Sequence, residues 1–153
     1  MGEIRFYRLE GEGPGAILPT LVERSLARGQ RVLITDPDPA AREALSARLW
    51  SYNDISFLAH GHAGQGHEAD QPVLLSGHSD APNNAPVHIL TGTARVDLGV
   101  ADHFEMTVRL FDGTDGDVLT QARDDWRAVT AAGKTAVFWA KEGGKWLEKA
   151  RSG

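Results

Sequence analysis

Apolar and polar positions change their spacing several times along this chain, and each change marks an element. Ile4, Phe6 and Leu9, interleaved with Arg5, Tyr7 and Arg8, predict a short strand, and the Gly11-Glu12-Gly13-Pro14-Gly15 run predicts the turn after it. Over residues 16–28, Ile17, Leu18, Leu21, Val22 and Leu26 recur at helical spacing, and Gly29 stands where a helix C-terminal cap belongs. The continuous apolar run Val32-Leu33-Ile34 predicts a buried strand over residues 31–35. Asp38 as N-cap and Pro39 in the first turn open a second helix, with Ala41, Leu45, Leu49 and Trp50 assigned to one face.

The second half repeats the alternation less regularly. Residues 55–58 predict a short strand, residues 59–71 a polar Gly/His-rich loop, and Val73-Leu74-Leu75 and Val87-His88-Ile89-Leu90 two more buried strands. Residues 104–111 alternate as a further strand. Residues 115–132 predict a helix with Val118, Leu119, Ala122, Trp126 and Val129 inward, stopped at Gly133. Residues 135–140 form the last predicted strand, and residues 141–153 read as a charged C-terminal tail behind an α/β domain of residues 1–140. Strands alternating with helices, several of them apolar throughout, define the expected class as α/β: one domain with a mainly parallel, doubly wound sheet covered on both faces.

Composition narrows the function classes. At 153 residues, with 41% hydrophobic and 24% charged residues, the chain suits one globular domain and neither a disordered nor a fibrous one. No apolar run approaches the roughly 18 residues of a membrane span, and Glu3, Arg5 and Arg8 interrupt any secretory signal, so a cytoplasmic location is expected. The absence of cysteine excludes disulfides, thiolate zinc sites and thiol nucleophiles. A net charge of −5 argues against general nucleic-acid binding, and no direct, specific nucleic-acid contact is expected. The charge is uneven: residues 1–122 hold 9 Lys+Arg against 17 Asp+Glu, and residues 123–153 hold 7 against 4. An anionic partner would therefore dock near the end of the chain, unless the clustering only solvates that end.

Four groups of residues could carry chemistry. Gly11-x-Gly13-x-Gly15 lies between a strand and a helix, where phosphate loops sit, yet it lacks a Gly-Lys-Ser/Thr ending, and Glu10 and Glu12 would repel phosphate; a tight βα turn is the better reading. His60, His62, His67, Asp70 and His78 suggest metal ligands, but neither the His-x-His-x-Asp-His nor the His-Glu-x-x-His spacing is present, and solvated or turn-forming histidines fit better. Ser76-Gly77-His78 and Ser25 lack a nucleophile elbow, and the pairs Asp36/Asp38 and Asp124/Asp125 read as caps or solvated helix faces. No catalytic residue, metal site or cofactor is expected from these. In the last helix, Arg123 and Arg127 are four apart and flank Trp126. Two guanidinium groups beside an indole could seat a peptide carboxylate and an apolar side chain, or the indole could be core and both arginines paired to Asp124 or Asp125.

Nearly the whole chain resembles the chi subunit of bacterial DNA polymerase III. The resemblance rests on Phe6-Tyr7-x-Leu9, Gly29-x-Arg31-Val32-Leu33-Ile34, Leu49-Trp50, Phe57-Leu58-Ala59-His60 with Ala63-Gly64, Gln71-Pro72-Val73, Ala122-Arg123, Trp126-Arg127 and Gly133, in that order. It implies a Rossmann-like or nucleotide-hydrolase-like fold without a working nucleotide site. It also implies a non-catalytic accessory protein that bridges the clamp loader, through a psi subunit where the lineage has one, to single-stranded-DNA-binding protein. That partner's acidic tail ends in a hydrophobic residue and a free carboxylate. By position, Arg123 matches the family arginine used for the tail, Arg127 stands for a lysine and Trp126 for a tyrosine, with Lys134 and the basic end expected to draw the upstream acidic residues. Arg127→Glu is the substitution expected to nearly abolish capture. The competing expectation is a small metal- or nucleotide-dependent enzyme using the 60–78 loop or the Gly11–Gly15 turn.

Overall fold

In the computed structural model, which describes residues 2–51, 60–80 and 83–153, the chain forms one eight-stranded sheet with four α-helices. The strands are β1 (Glu3–Leu9), β2 (Val32–Thr35), β3 (Gly61–His62), β4 (Val73–Ser76), β5 (Val87–Leu90), β6 (Met106–Asp112), β7 (Ala136–Glu142) and β8 (Lys145–Ser152), and the helices are α1 (Leu18–Ala27), α2 (Pro39–Trp50), α3 (Leu98–Ala101) and α4 (Gly116–Ala131). The order across the sheet is β3-β4-β2-β5-β6-β1-β7-β8. Every pairing is parallel except β7 with β8.

Strand alternation divides the core between the two faces. Val32 and Ile34 of β2, with Val108 and Leu110 of β6, meet Leu18 and Val22 of α1 and Leu45 and Leu49 of α2. On the other face Ile4 and Phe6 of β1 and Phe111 of β6 pack with Ala122 and Val129 of α4. Helices α2 and α4 start where the sequence predicts: Asp38 Oδ1 accepts from the Ala40 amide at the head of α2, and Asp115 accepts from the Asp117 and Val118 amides at the head of α4, whereas α1 begins two residues later than expected and α3 has no counterpart in the pattern. Trp50 departs from its assigned face. It follows Leu49 by one residue, about 100° around the helix, and is 50% exposed, with its ring 4.6 Å from that of His60. No helix among the described residues is long and apolar enough to cross a membrane. The strand predicted over residues 55–58 lies outside the described residues.

Residues 141–153 are not a solvated tail. Glu142 and Lys145 are opposite each other across Gly143-Gly144, both with positive φ (57° and 77°), as a two-residue hairpin turn of matching twist requires. The charged alternation of β8 is that of an edge strand wet along most of its length. Its anchor is Trp146, which stands edge-on to Tyr7 at 5.3 Å, while Tyr7 stacks on Trp139 at 6.4 Å.

Candidate functional site

The α4 face of β1, β7 and β8 carries an open cavity of about 530 Å³. Its floor is aromatic because strand alternation puts Phe138 on this face, above the buried Phe6, and the inward side of α4 delivers Trp126 beside it. The indole stands edge-on to Phe6 at 5.5 Å and to Phe138 at 5.6 Å, and the two phenyl rings stack at 5.9 Å. Trp126 is thus half core and half cavity wall.

Around this floor stand four cations, Arg8, Arg123, Lys141 and Lys149, and two carboxylates, Glu10 and Glu142. Arg8 Nε lies 2.9 Å from Glu10 Oε1, an ion contact outside hydrogen-bond alignment, and Arg8 can reach this position because Gly113 has no side chain: a Cβ there would fall 2.2 Å from Nε. Lys149 pairs with Glu142, and Lys141 Nζ is 3.7 Å from Glu12. The Arg123 side chain has no hydrogen bond or ion pair among the described residues. It is the cavity's one uncommitted cation there, one helical turn from Trp126.

The other residues expected at the site are placed differently. Arg127 lies outside the cavity lining, 75% exposed and bonded to Asp124 at 3.0 Å. Lys134 precedes β7, at the opposite end of that strand from Lys141 and Glu142, and its Nζ is 2.7 Å from Asp102 Oδ2. That hydrogen bond holds the Asp102 carboxyl below its usual range. Asp125, on the inward side of α4, is 4% exposed and bonds Arg95 (2.8 Å) and the Val96 amide (3.0 Å), which raises the Arg95 guanidinium. Sequence reasoning missed Arg8, Glu10 and Glu142 as wall residues and reached Lys149 only as one cation of the basic end. The Gly143-Gly144 pair was the one local signal that could have brought the last two onto the sheet.

The histidine-rich segment builds a second crevice of about 410 Å³, at the carboxyl ends of β3 and β4 beside the start of α2. Several polar groups in and behind its wall are bonded. Ser46 Oγ lies 2.7 Å from His60 Nε2 and 3.2 Å from His62 Nε2, the Gly64 amide donates to Glu68, and Arg42 donates to the Asp36 carbonyl at 2.6 Å. No group of three or more His, Asp or Glu among the described residues is placed to hold a metal ion. In the Gly11–Gly15 turn, the Gly11 amide donates to Asp112 at 3.1 Å.

Sheet and cavity together define a single-sheet, mostly parallel α/β protein with a cation-rimmed, aromatic-floored surface cavity. Residues 1–136 match the family model described as DNA polymerase III chi subunit, HolC. The chain belongs to this family of accessory subunits of the replicative polymerase. It is similar to the probable DNA polymerase III subunit chi of Rickettsia prowazekii (strain Madrid E), 28% identical over 98 residues, which are 62% of this chain and 59% of that relative. The chain therefore spans less than two thirds of the curated relative's length.

Proposed function

We propose that this chain is a non-catalytic subunit that links the polymerase's clamp loader, through a psi subunit, to single-stranded-DNA-binding protein by capturing that protein's acidic C-terminal tail. The observation that carries the reading is the uncommitted Arg123 guanidinium beside the Trp126–Phe138 floor. A terminal carboxylate pairs with Arg123, and the terminal apolar side chain lies against the indole. Arginine suits this role because its planar fork meets both carboxylate oxygens. Arg127, just outside the wall, and Lys134, beyond the far end of β7, supply long-range attraction in place of direct contact. Binding of this kind weakens with salt and turns over quickly, as a handoff between partners requires.

The test is a calorimetric titration of the full chain with an acidic peptide ending in Asp-Phe with a free carboxylate, repeated with the final Phe removed. The expected result is binding on the order of micromolar that is lost with the Phe, which removes the aromatic contact and shifts the carboxylate. Equal binding of the two peptides contradicts the reading.

A further inference from the structure

The family match ends at residue 136, and five of the cavity's wall residues follow it: Phe138, Ala140, Lys141, Glu142 and Lys149. The β7–β8 hairpin thus gives this chain part of its cavity from outside the matched segment. Pairing along the hairpin is regular from Glu142↔Lys145 to Trp139↔Glu148 and resumes at Phe138↔Ala150, so Lys149 has no residue opposite it. It is the extra residue of a β-bulge. Bulges re-aim side chains, and here the Lys149 side chain is delivered to the cavity, where its ammonium meets Glu142 from the opposite strand. Lys141 is held differently, with its ammonium 5.8 Å from the centre of the Trp146 ring and 3.7 Å from Glu12.

We infer that Lys149 is a specificity residue of this cavity: it reads an acidic side chain upstream of the ligand's terminal residue, and Glu142 holds that place while the cavity is empty. The inference rests on the peptide-capture reading and adds to it the group that senses acidic character. Lys149 and Glu142 are 40% and 56% exposed at their side chains, so exchanging one carboxylate for another at the ammonium breaks no buried contact. Arg123 fixes the ligand's end, and Lys149, across the cavity on the sheet edge, meets the chain leading into it.

The test uses two fluorescent peptides, both ending in Phe with a free carboxylate, one with Asp and Glu at the positions before it and one with Asn and Gln at all of those positions, the penultimate one included. Each is titrated by anisotropy into the full chain and into Glu142→Gln, Lys149→Gln and the double variant. The parent chain should prefer the acidic peptide. Glu142→Gln should tighten that peptide by roughly twofold to fivefold, and Lys149→Gln should shrink the preference by a similar factor. In the Lys149→Gln background, Glu142→Gln should no longer tighten binding, which separates an exchange at Lys149 from a general loss of negative charge. Preference that survives Lys149→Gln, or tightening that persists in the double variant, overturns the inference alone. A parent chain that binds neither peptide overturns the capture reading and this inference with it.

Discussion

Two crevices on one sheet show opposite uses of polar side chains. The crevice at β3, β4 and α2 has the richer set of recognisable groups, with His62, His78 and Arg42, yet His62 is bonded to Ser46 and Arg42 to the Asp36 carbonyl. The cavity at α4, β7 and β8 has fewer such groups, but an aromatic floor and a guanidinium with no partner among the described residues. What distinguishes a receptive surface is the bonding left open, and residue type alone does not reveal it. A histidine hydrogen-bonded to serine stabilises a loop, whereas an arginine without a carboxylate awaits one.

Substitutions can break this comparison from either side. The largest effect belongs to Trp126→Ala, which removes the edge contacts to Phe6 and Phe138 and opens the floor; stability should fall by about 3–4 kcal/mol in denaturant titration, and peptide binding should go with it. If stability barely changes, the indole is not part of the core. The next belongs to the other half of the sheet. His88 lies on β5, 2% exposed, and desolvation pushes its pKa down to about 4. Thr35 Oγ1 donates to the His78 carbonyl at 2.8 Å, so the 2.8 Å contact from His88 Nε2 is a donation from the neutral ring. The unfolded chain takes up this proton first, near the ordinary imidazole value of about 6.5, so the contribution is complete above that pH and is lost as pH falls toward about 4. Urea unfolding followed from pH 7 to pH 4 should lose up to about 3 kcal/mol, and His88→Gln should flatten that dependence.

Smaller effects sharpen the contrast. Arg127→Glu should weaken peptide binding only by roughly twofold to fivefold, and the difference should shrink in high salt, because Arg127 acts from outside the wall and is already paired to Asp124. A loss as large as that of an Arg123 substitution would place the carboxylate seat between the two arginines instead. The smallest effect is that of His62→Ala in the second crevice, which should leave peptide affinity unchanged and stability within about 0.5 kcal/mol, as measured by the same two titrations.

Much of the fold is legible in the chain because buried strands and amphipathic helices carry their own periods. Val32-Leu33-Ile34, Val87–Leu90 and the α4 helix between Asp115 and Gly133 lie where the pattern puts them. The hairpin was hidden because an edge strand wet on most of its length has no apolar alternation to display, and β8 holds its place mainly through Trp146. Arg123 and Trp126 were readable together because three residues on one helix share a face. Lys134 was grouped with them by nearness in sequence, yet a strand runs between its end of β7 and the cavity. Arg8 is far from Arg123 in sequence and meets the cavity only through sheet pairing, and Lys149, legible only as one cation of a basic end, is brought there by a bulge.

The most direct test of the account is one titration of the acidic, Phe-terminated peptide into the parent chain and Arg123→Glu side by side, with unfolding curves recorded for both. The account predicts that affinity falls by at least about tenfold while the unfolding curves coincide, since Arg123 is exposed and bonds nothing among the described residues. Binding by Arg123→Glu as tight as that of the parent chain would contradict it.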